Sequence, residues 1–381
     1  NFHILGGFQA ENLKQNLFGL QRNGIMINSK PEVDLTNGLD IDGNPITPSV
    51  NGGRNEWSTV GFFGRLNYDY KGRYLFEVNV RADGSSRFRK GNQWKTFPSA
   101  SVGWNIAQEE FFKPLSSTVD MLKIRGSYGK MGDDGGASTY PQTVIAYNIE
   151  KDKIGWFYNG ALMAGVAATA IPNPDLTWYT AETYNLGLDF DLWNQKLSGT
   201  FEVFKRKRSG LLATSSTVVP GTVGASLPQE NLNSDQTFGW EISLNHRNRV
   251  AGVNYWVGGQ ISATKNRWDY RLDSQASNSM DAWRRRDVSG RNKDIWFSYE
   301  EGGRFTSYEQ IRYHNVTGGG YGQGTLPGDY YYKDWNGDGV INGDDNHPMA
   351  TYNLPVFNYG FVMGAEWKGV DISLNWQGAA G

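Results

Sequence analysis

The amino-acid sequence predicts an all-β protein, and three observations favour an antiparallel transmembrane β-barrel among the all-β folds. The 381 residues include 48 glycines, 14% aromatic residues and no cysteine. Apolar and polar residues alternate with a period of two in one segment after another. The connections between these segments are alternately short and long. Together these features describe a chain that crosses and recrosses a membrane as strands.

The composition excludes several classes of protein. Lys and Arg number 37 against 39 Asp and Glu, giving a net charge of −2, whereas a nucleic-acid-binding domain usually carries a basic face. Without cysteine, neither a disulfide framework nor a cysteine metal site can form. The mean hydropathy is −0.56, and no stretch approaches the roughly 18 apolar residues of a membrane-spanning helix. Many glycines and aromatics without low-complexity repeats indicate strands joined by turns.

The period-two alternation gives each predicted strand one apolar and one polar face. Val60, Phe62 and Leu66 lie on one face of such a segment, and Arg65 and Asn67 lie on the other. In a soluble sheet sandwich the apolar face is the core, whereas in an outer-membrane barrel it meets lipid and the polar face lines the lumen. Alternation alone is compatible with both folds. The same pattern recurs in residues 74–83, 98–106, 184–191, 238–247 and 370–377.

Connection length separates the two folds. Outer-membrane barrels have short periplasmic turns and long extracellular loops, whereas compact domains rarely contain several structureless loops longer than about 12–15 residues. The short connections are predicted at 71–73, 193–195, 248–251 and 368–369, with 108–121 as a medium-length case on the same side. The long connections are predicted at 84–97, 132–182, 207–237 and 266–356.

Aromatic residues cluster at the predicted short turns. Membrane barrels carry aromatic girdles at their interfaces, although Tyr and Trp are also common in strands generally. The flanking aromatics are Tyr68, Tyr70 and Tyr74 at the first turn, Phe190 and Trp193 at the second, Tyr255 at the third and Trp367 at the fourth. Combined with the loop pattern, this placement favours the membrane barrel.

The number of predicted strands, about eleven, implies an incomplete barrel. An open sheet edge cannot face lipid, because its backbone polar groups would be unpaired, and single-chain bacterial barrels close with an even number of strands. Residues 1–381 are therefore expected to be one partial barrel domain, lacking strands at both ends. A signal peptide is likewise expected outside residues 1–381.

Several long segments resemble the SusC/RagA-type TonB-dependent transporters of Bacteroidota. The first group includes "GRLNYDYKGRYLFEVNVRADGSSRF" and "FPSASVGWNIAQEEFF". The similarity continues in the same order through nearly the whole chain and ends in "FNYGFVMGAEWKGVDISLNWQGAAG". The similar segments are residues 64–88, 97–112, 122–135, 181–212, 231–248, 330–346 and 357–381.

The resemblance implies a function as well as a fold. It implies part of a barrel of roughly 22 strands with a plugged lumen, in the bacterial outer membrane. It also implies import of oligosaccharides or oligopeptides, with a SusD-like surface lipoprotein as a lid. TonB would drive this import through a plug region that is expected to lie outside residues 1–381. The family's signal peptide and terminal strands are likewise expected to lie outside residues 1–381. Residues 291–315 resemble the family only loosely and 318–324 look particular to this chain, so the substrate stays open.

A segment near the C-terminus, "DWNGDGVINGDD" (334–345), matches the spacing of an EF-hand-type calcium loop. Gly339 occupies the position of the sharp turn, Asn342 the water-mediated position, and Asp345 the closing position where Glu is usual. Prolines on both sides exclude a helix–loop–helix sensor. The hypothesis is a structural Ca²⁺ in an extracellular loop; the alternative is an Asp/Asn/Gly turn without metal. The expected ligands are Asp334, Asn336, Asp338, the Val340 carbonyl and Asp345.

No enzymatic motif is apparent. The 4 histidines form no metal-ligand pair, and neither a nucleophile elbow nor a phosphate-binding loop occurs. Adjacent carboxylates such as Glu109–Glu110 and Asp133–Asp134 are expected on the solvated surface rather than in catalysis. The protein is therefore predicted not to be an enzyme. The rival functions are a passive porin and a soluble or surface calcium-dependent glycan-binding or adhesin protein.

Two loop segments allow a binding interpretation beside a structural one. The basic run 87–95 is expected either to contact lipopolysaccharide phosphates or a partner protein, or to be a plain solvated hairpin tip. The aromatic segment 329–335 is expected either to stack on sugars or a partner, or to pack within its own loop.

Overall fold

A computed structural model describes residues 1–135, 137, 146–150, 157–158, 161–162, 165–214, 227–272, 288–318, 324–350, 352 and 354–381. Its main feature is an eleven-stranded antiparallel sheet in which strands adjacent in sequence are adjacent in space. The strands, numbered β1 to β11, are Phe2–Gln21, Ser49–Tyr70, Tyr74–Ser85, Trp94–Asn105, Val119–Asp133, Tyr179–Leu192, Leu197–Thr214, Gln229–Val250, Val253–Tyr270, Phe357–Trp367 and Val370–Ala380. The expected all-β antiparallel architecture and strand number are confirmed.

The connections carry short ladders and single helical turns. Two-stranded ladders pair Ala146–Glu150 with Gly165–Ala170, Phe157–Tyr158 with Ala161–Leu162, Trp296–Ser298 with His347–Ala350, Glu301–Arg304 with Tyr330–Tyr332, and Thr317–Gly318 with Val340–Ile341. Among the described residues, 3₁₀ turns occur at Val33–Leu35, Ile106–Gln108, Glu110–Leu115 and Gly343–Asp345, and an α-helix spans Tyr308–Arg312. None of the helices in the described residues is long and apolar enough to span a membrane.

The alternation of short and long connections is confirmed, and it sorts them to opposite ends of the sheet. Ala251–Gly252 and Lys368–Gly369 are two-residue turns in which both residues have positive φ, namely 52° and 83°, and 48° and 86°. This is the hairpin conformation whose twist matches the adjoining strands. The short connections are 71–73, 106–118, 193–196, 251–252 and 368–369, and the long ones are 22–48, 86–93, 134–178, 215–228 and 271–356.

The strands are longer than the sequence pattern indicated. Residues 207–214 and 229–237 were expected in a long loop, but they continue β7 and β8. β8 has 22 residues, whereas crossing the hydrocarbon core takes about 9–11. In a membrane barrel, strands of this length would extend beyond the hydrocarbon core on the side of the long connections.

The two faces of the sheet are inverted relative to a soluble protein. Apolar side chains of the strands are exposed on the outer face; Leu186 is 55% and Ile372 64% accessible. Five buried apolar residues instead form a rim cluster at the end with the long connections, namely Phe88, Phe97, Ala137, Leu176 and Trp178. Because continuous exposure of apolar strand faces to water is unfavourable, this face is suited to lipid.

The inversion predicts how charge is tolerated on neighbouring residues. We expect Ile261→Arg, on the outer face near mid-height, to destabilise the full-length protein in bilayers by about 2–4 kcal/mol, because the cation would lie in lipid. Gln260→Arg points to the opposite face and should change stability little. Urea unfolding in lipid vesicles measures both variants. Equal destabilisation would contradict the assignment of the two faces.

Candidate functional site

Polar side chains join neighbouring strands across the inner face of the sheet. On β2 and β3, Arg65 Nε donates to Asn79 Oδ1 at 2.7 Å, and Asn67 Nδ2 donates to Glu77 Oε2 at 3.0 Å. Asn79 Nδ2 also donates to Glu77 Oε1 at 2.8 Å. The first two contacts join residues that face each other across β2 and β3, and the third joins residues two positions apart on β3. Polar groups are therefore paired along the inner face of the sheet, which we call the wall.

A denser ionic network spans β5, β6 and β7 on the same face. Asp189 lies 2.9 Å from Lys123 Nζ and 3.2 Å from Arg125 Nε. Arg125 also pairs with Glu202, since the Arg125 Nη2 atom lies 2.5 Å from Glu202 Oε2. The Arg125 guanidinium crosses above Gly187, where an added Cβ would lie 2.6 Å from Cζ. Glycine at this position therefore leaves room for an ion pair between non-adjacent strands.

Hollows open over this polar wall. One of about 550 Å³ lies near the short connections and includes His3, Glu77, Lys123 and Arg125 in its lining. Another, of about 650 Å³, lies over β8 to β11 and is lined by hydroxyl and amide side chains such as Ser243. The inner face therefore offers hydrogen-bonding groups to a molecule or segment that occupies these hollows.

A third hollow of about 320 Å³, here named the mouth hollow, lies at the end with the long connections. Arg87 pairs with Asp134 at 2.6 Å, and each side chain is only 13% exposed. The Arg87 guanidinium also lies 4.5 Å from the centre of the Trp57 ring. Trp178 lines the same hollow. An aromatic surface and a fixed ion pair therefore meet at the entrance to the inner face.

The rim cluster fixes the loops around the mouth hollow. Trp178 Nε1 donates to the carbonyl of Gln93 at 2.8 Å, and Lys95 Nζ donates to the Trp178 carbonyl at 3.2 Å. The basic run 87–95 is therefore divided: Arg87 and Lys95 serve loop packing, while Arg89 and Lys90 are exposed at the tip. The sequence did not identify Trp57 or Trp178, since the two residues are 121 positions apart and come together only in the folded sheet.

Two of the carboxylates expected on the solvated surface are buried in contacts. Asp134 is the partner of Arg87. Glu109, in the connection between β4 and β5, is 8% exposed and accepts from Tyr74 Oη at 2.7 Å and Trp104 Nε1 at 3.0 Å. Arg73 lies 3.1 Å away. The expectation was wrong for these two residues because Arg73 and Tyr74 for Glu109, and Arg87 for Asp134, are distant in sequence and meet them only in the fold.

The predicted calcium loop folds as a series of tight turns. Asp334 accepts from the amides of Gly337 and Gly339, both at 2.7 Å, and these glycines have φ of 74° and 80°. Asp345 is completely buried. Its two oxygens accept from the amides of Trp335 and Asn342, each at 2.9 Å. The closing Asp thus holds both ends of the loop together.

The oxygen atoms of the loop are suitable ligands for a hard cation. In this structure the same oxygens accept hydrogen bonds from backbone amides, which stabilise the turn without a metal. Asn336 Oδ1 accepts from the Asp338 amide at 2.9 Å, and Asp338 Oδ1 accepts from the Val340 amide at 2.8 Å. Within the described ranges, no three His, Cys, Asp or Glu side chains are grouped as a metal site. Oxygen ligands at the required spacing are present, so Ca²⁺ binding at this loop stays a prediction.

The aromatic segment 329–335 divides between packing and exposure. Tyr331 packs on Phe305, with ring centres 5.3 Å apart, and Phe305 is 2% exposed. Trp335 stacks on His347 at 4.2 Å while remaining 47% exposed. Packing within the loop is confirmed for Tyr331, whereas Trp335 stays half-exposed beside the calcium-like loop, with the Lys333 ammonium 5.8 Å from its ring centre.

Comparison with known proteins agrees with this architecture. The sequence model of the family "TonB dependent receptor-like, beta-barrel" matches residues 7–377. TonB-dependent receptor P3 of Formosa agariphila is 28% identical over 397 residues, covering 100% of this chain. TonB-dependent receptor SusC of Bacteroides thetaiotaomicron is 32% identical over 197 residues, which cover 52% of this chain and 19% of SusC.

Solved structures show the same fold. The RagAB peptide importer in its "open-open" state superposes with a TM-score of 0.73 at 18% identity, covering 99% of this chain and 38% of that one. An antiparallel sheet with a lipid-suited outer face and a hydrogen-bonded polar inner face defines an outer-membrane β-barrel protein. The chain belongs to the TonB-dependent receptor-like β-barrel family and is located in the outer membrane. It spans 37% of the length of receptor P3.

The contacts of Glu109 predict a pH dependence. The hydrogen bond from Tyr74, that from Trp104 and the charge of Arg73 hold the pKa of the Glu109 carboxyl below its ordinary value. Stabilisation by this carboxylate is therefore complete above its unfolded pKa of about 4.3 and is lost as pH falls through the lower folded pKa. We expect the thermal midpoint of Glu109→Gln to lie below that of the unmodified full-length protein at pH 7, and the gap to narrow below about pH 4.

Glu110→Gln is the matched control for this prediction. Glu110 is adjacent and pairs with Lys113, but its side chain is 74% exposed, and exposed ion pairs contribute little. Thermal unfolding in detergent between pH 3 and 8 measures all three proteins. A gap of the same size at every pH, or an equal loss in Glu110→Gln, would show that the Glu109 contacts are not the cause.

Proposed function

We propose that the full-length protein imports oligosaccharides or oligopeptides across the outer membrane with energy delivered by TonB. The observation that carries the proposal is the family match over residues 7–377. The sheet agrees with it, because its outer face is suited to lipid and its inner face to a polar lumen. The process is transport rather than covalent chemistry. The described residues supply barrel wall and outer loops.

The barrel itself is proposed to be larger than this sheet. β1 and β11 each pair with one neighbour in the main sheet, and an unpaired strand edge is unfavourable in lipid. A barrel of roughly 22 strands would pair both edges and enclose a plug. On this proposal, residues 1–381 form one section of the barrel domain, and contact with TonB is made through the plug.

The mouth hollow is proposed as the place where substrate first meets the barrel. Trp57 offers a ring surface for stacking on a sugar or an apolar side chain, and Arg87 with Asp134 offers charged hydrogen-bonding groups. A SusD-like surface lipoprotein would cover this end, since the long connections lie here. RagAB, whose barrel shares this fold, is a peptide importer, which supports peptides as one of the two substrate classes.

A passive porin is the principal rival, and the requirement for energy distinguishes it. We expect uptake by cells expressing the full-length protein to stop when TonB is deleted, because a plugged barrel does not conduct on its own. A surface lipoprotein is expected to copurify in mild detergent. Uptake that continues without TonB would favour the porin, and a protein soluble without detergent would contradict the membrane assignment.

The mouth hollow makes this proposal testable at one residue. Trp57→Ala should weaken binding of the oligosaccharide or oligopeptide substrate about tenfold, the usual effect of removing an aromatic anchor. The variant barrel should stay folded, as judged by heat-modifiable migration on gels. Trp376→Ala is the control, because Trp376 is 51% exposed on the outer face. Equal affinities of the two variants, measured by calorimetry, would place the substrate elsewhere.

We also propose that residues 334–345 bind one Ca²⁺ that holds the long connection 271–356 in place. Asp334, Asn336, Asp338, the Val340 carbonyl and Asp345 supply the oxygens. A weak site is sufficient, because extracellular modules bind Ca²⁺ with dissociation constants of about 10⁻⁴–10⁻³ M. The buried Asp345 carboxylate supports a role in closing the loop.

Chelation should therefore expose this connection to protease. We expect Asp334→Asn to raise the Ca²⁺ concentration needed for protection at least tenfold, because it removes one ligand charge. Asp344→Asn, at a neighbouring position outside the ligand set, should behave like the unmodified protein. Limited proteolysis of the full-length protein across a Ca²⁺ series measures this. Protection that is independent of Ca²⁺ would support a turn stabilised by hydrogen bonds alone.

A further inference from the structure

Four cations lie side by side on the outer face of β7 and β9. Lys205 and Lys265 both face Phe238 in the register, one from each side of β8. Lys207 and Arg267 face Gln236 in the same way, two residues further toward the long connections. The four are named the outer cationic patch. Their side chains are exposed, and they continue the outward series that contains Val203 and Ile261.

The height of this patch follows from the strand geometry. Tyr255 faces Asn248 near the short turn between β8 and β9, and Phe238 lies ten residues further along β8. At about 3.4 Å per residue this is roughly 34 Å along the strand, or about 26 Å across the membrane at a tilt of about 40°. The apolar band of such barrels is about 25 Å tall. Lys205 and Lys265 therefore lie at its outer boundary.

The second row of the patch lies outside the hydrocarbon. Lys207 and Arg267 are about 5 Å further out by the same geometry, at the level of the lipid headgroups. Tyr184 and Phe238, both exposed, flank Lys205 in the boundary row. Aromatic rings at an interface, followed by cations, are the arrangement expected where acyl chains give way to charged headgroups.

Little acidic charge neutralises the patch from within the protein. Lys207 lies 3.7 Å from Asp269 and remains 51% exposed. Glu182, which faces Lys207 across β6 and β7, is paired with Lys130 at 3.2 Å. Lys205, Lys265 and Arg267 have no ion pair with any other residue that the structure describes. The patch therefore carries an excess of positive charge toward the membrane.

We propose that Lys205, Lys207, Lys265 and Arg267 bind a phosphate group of lipopolysaccharide in the outer leaflet of the membrane. β7 and β9 are separated by one strand, so the two columns of the patch are roughly 10 Å apart, and its rows are about 7 Å apart along the strands. Long, flexible side chains on this spacing can converge on one phosphate, and Arg267 can bind it through two N–H groups. The bound glycolipid would occupy the wall over β7 to β9.

Charge removal at the two membrane boundaries tests the proposal. The full-length variant Lys205→Gln/Lys265→Gln should bind lipopolysaccharide about tenfold or more weakly, given the known contribution of each cation to anionic lipid binding. The control Lys71→Gln/Lys368→Gln removes two exposed lysines in the short turns at the opposite boundary. Native mass spectrometry of proteins in nanodiscs with a titrated amount of lipopolysaccharide measures occupancy. Heat-modifiable migration on gels, which compares boiled with unboiled protein, checks that both variants are folded.

Two further arms identify the group that is recognised. With enzymatically dephosphorylated lipopolysaccharide, the unmodified protein and the Lys205→Gln/Lys265→Gln variant should show the same occupancy. Inorganic phosphate at millimolar concentration should compete poorly, because it lacks the acyl chains that hold the glycolipid at this height. Equal occupancy in the two double variants, unchanged binding of the dephosphorylated lipid, or binding of free phosphate alone would each overturn the proposal.

Discussion

The structure depends on one constraint: a backbone in lipid must satisfy all its hydrogen bonds within the protein. A continuous antiparallel sheet meets this requirement along β1 to β11, and it leaves side chains to face two different solvents. Leu186 and Ile372 are exposed on the outer face, where water would penalise them and lipid does not. The strands consequently need no apolar core beneath them. Buried apolar residues are concentrated in the rim cluster and the loops, where the chain leaves the membrane and again needs a core of the ordinary kind.

The same constraint explains why charges can accumulate on the inner face. Lys123, Arg125, Asp189 and Glu202 lie within strands at membrane height, yet each faces a polar partner rather than lipid. Partial burial would be costly for one of these groups alone, and removing one partner would leave the other poorly solvated. Pairing across strands fixes the wall laterally while presenting hydrogen-bonding groups to the lumen. Rigidity of the wall and polarity of the lumen therefore come from the same contacts.

The fold was largely predictable from sequence because its determinants are local. The alternation along β3 and the turn Ala251–Gly252 are each contained within a few consecutive residues. The alternation determines which face each side chain points to, and the turn determines the hairpin. Strand ends were less predictable, since the extensions of β7 and β8 beyond the membrane lack a lipid-facing pattern. Sites formed across distant segments were missed: Arg87 meets Asp134 and Trp57 only in the folded sheet. The oxygen donors of the calcium-like loop could be read from spacing alone, but spacing carries no information on whether carboxylates face a cation or backbone amides.

The outer boundary of the membrane shows how register creates a surface that composition conceals. The chain is nearly neutral, and its most obvious basic run, 87–95, is divided between an inward ion pair, a loop contact and an exposed tip. Lys205 and Lys265 are 60 residues apart in number and would not be grouped by inspection of the sequence. Pairing of β7, β8 and β9 brings them to either side of Phe238. Their effect depends on height as much as on charge, because a cation in mid-bilayer is destabilising by about 2–4 kcal/mol and one at the interface is tolerated. The strand register thus sets both which side chains meet and which layer of the membrane they meet it in.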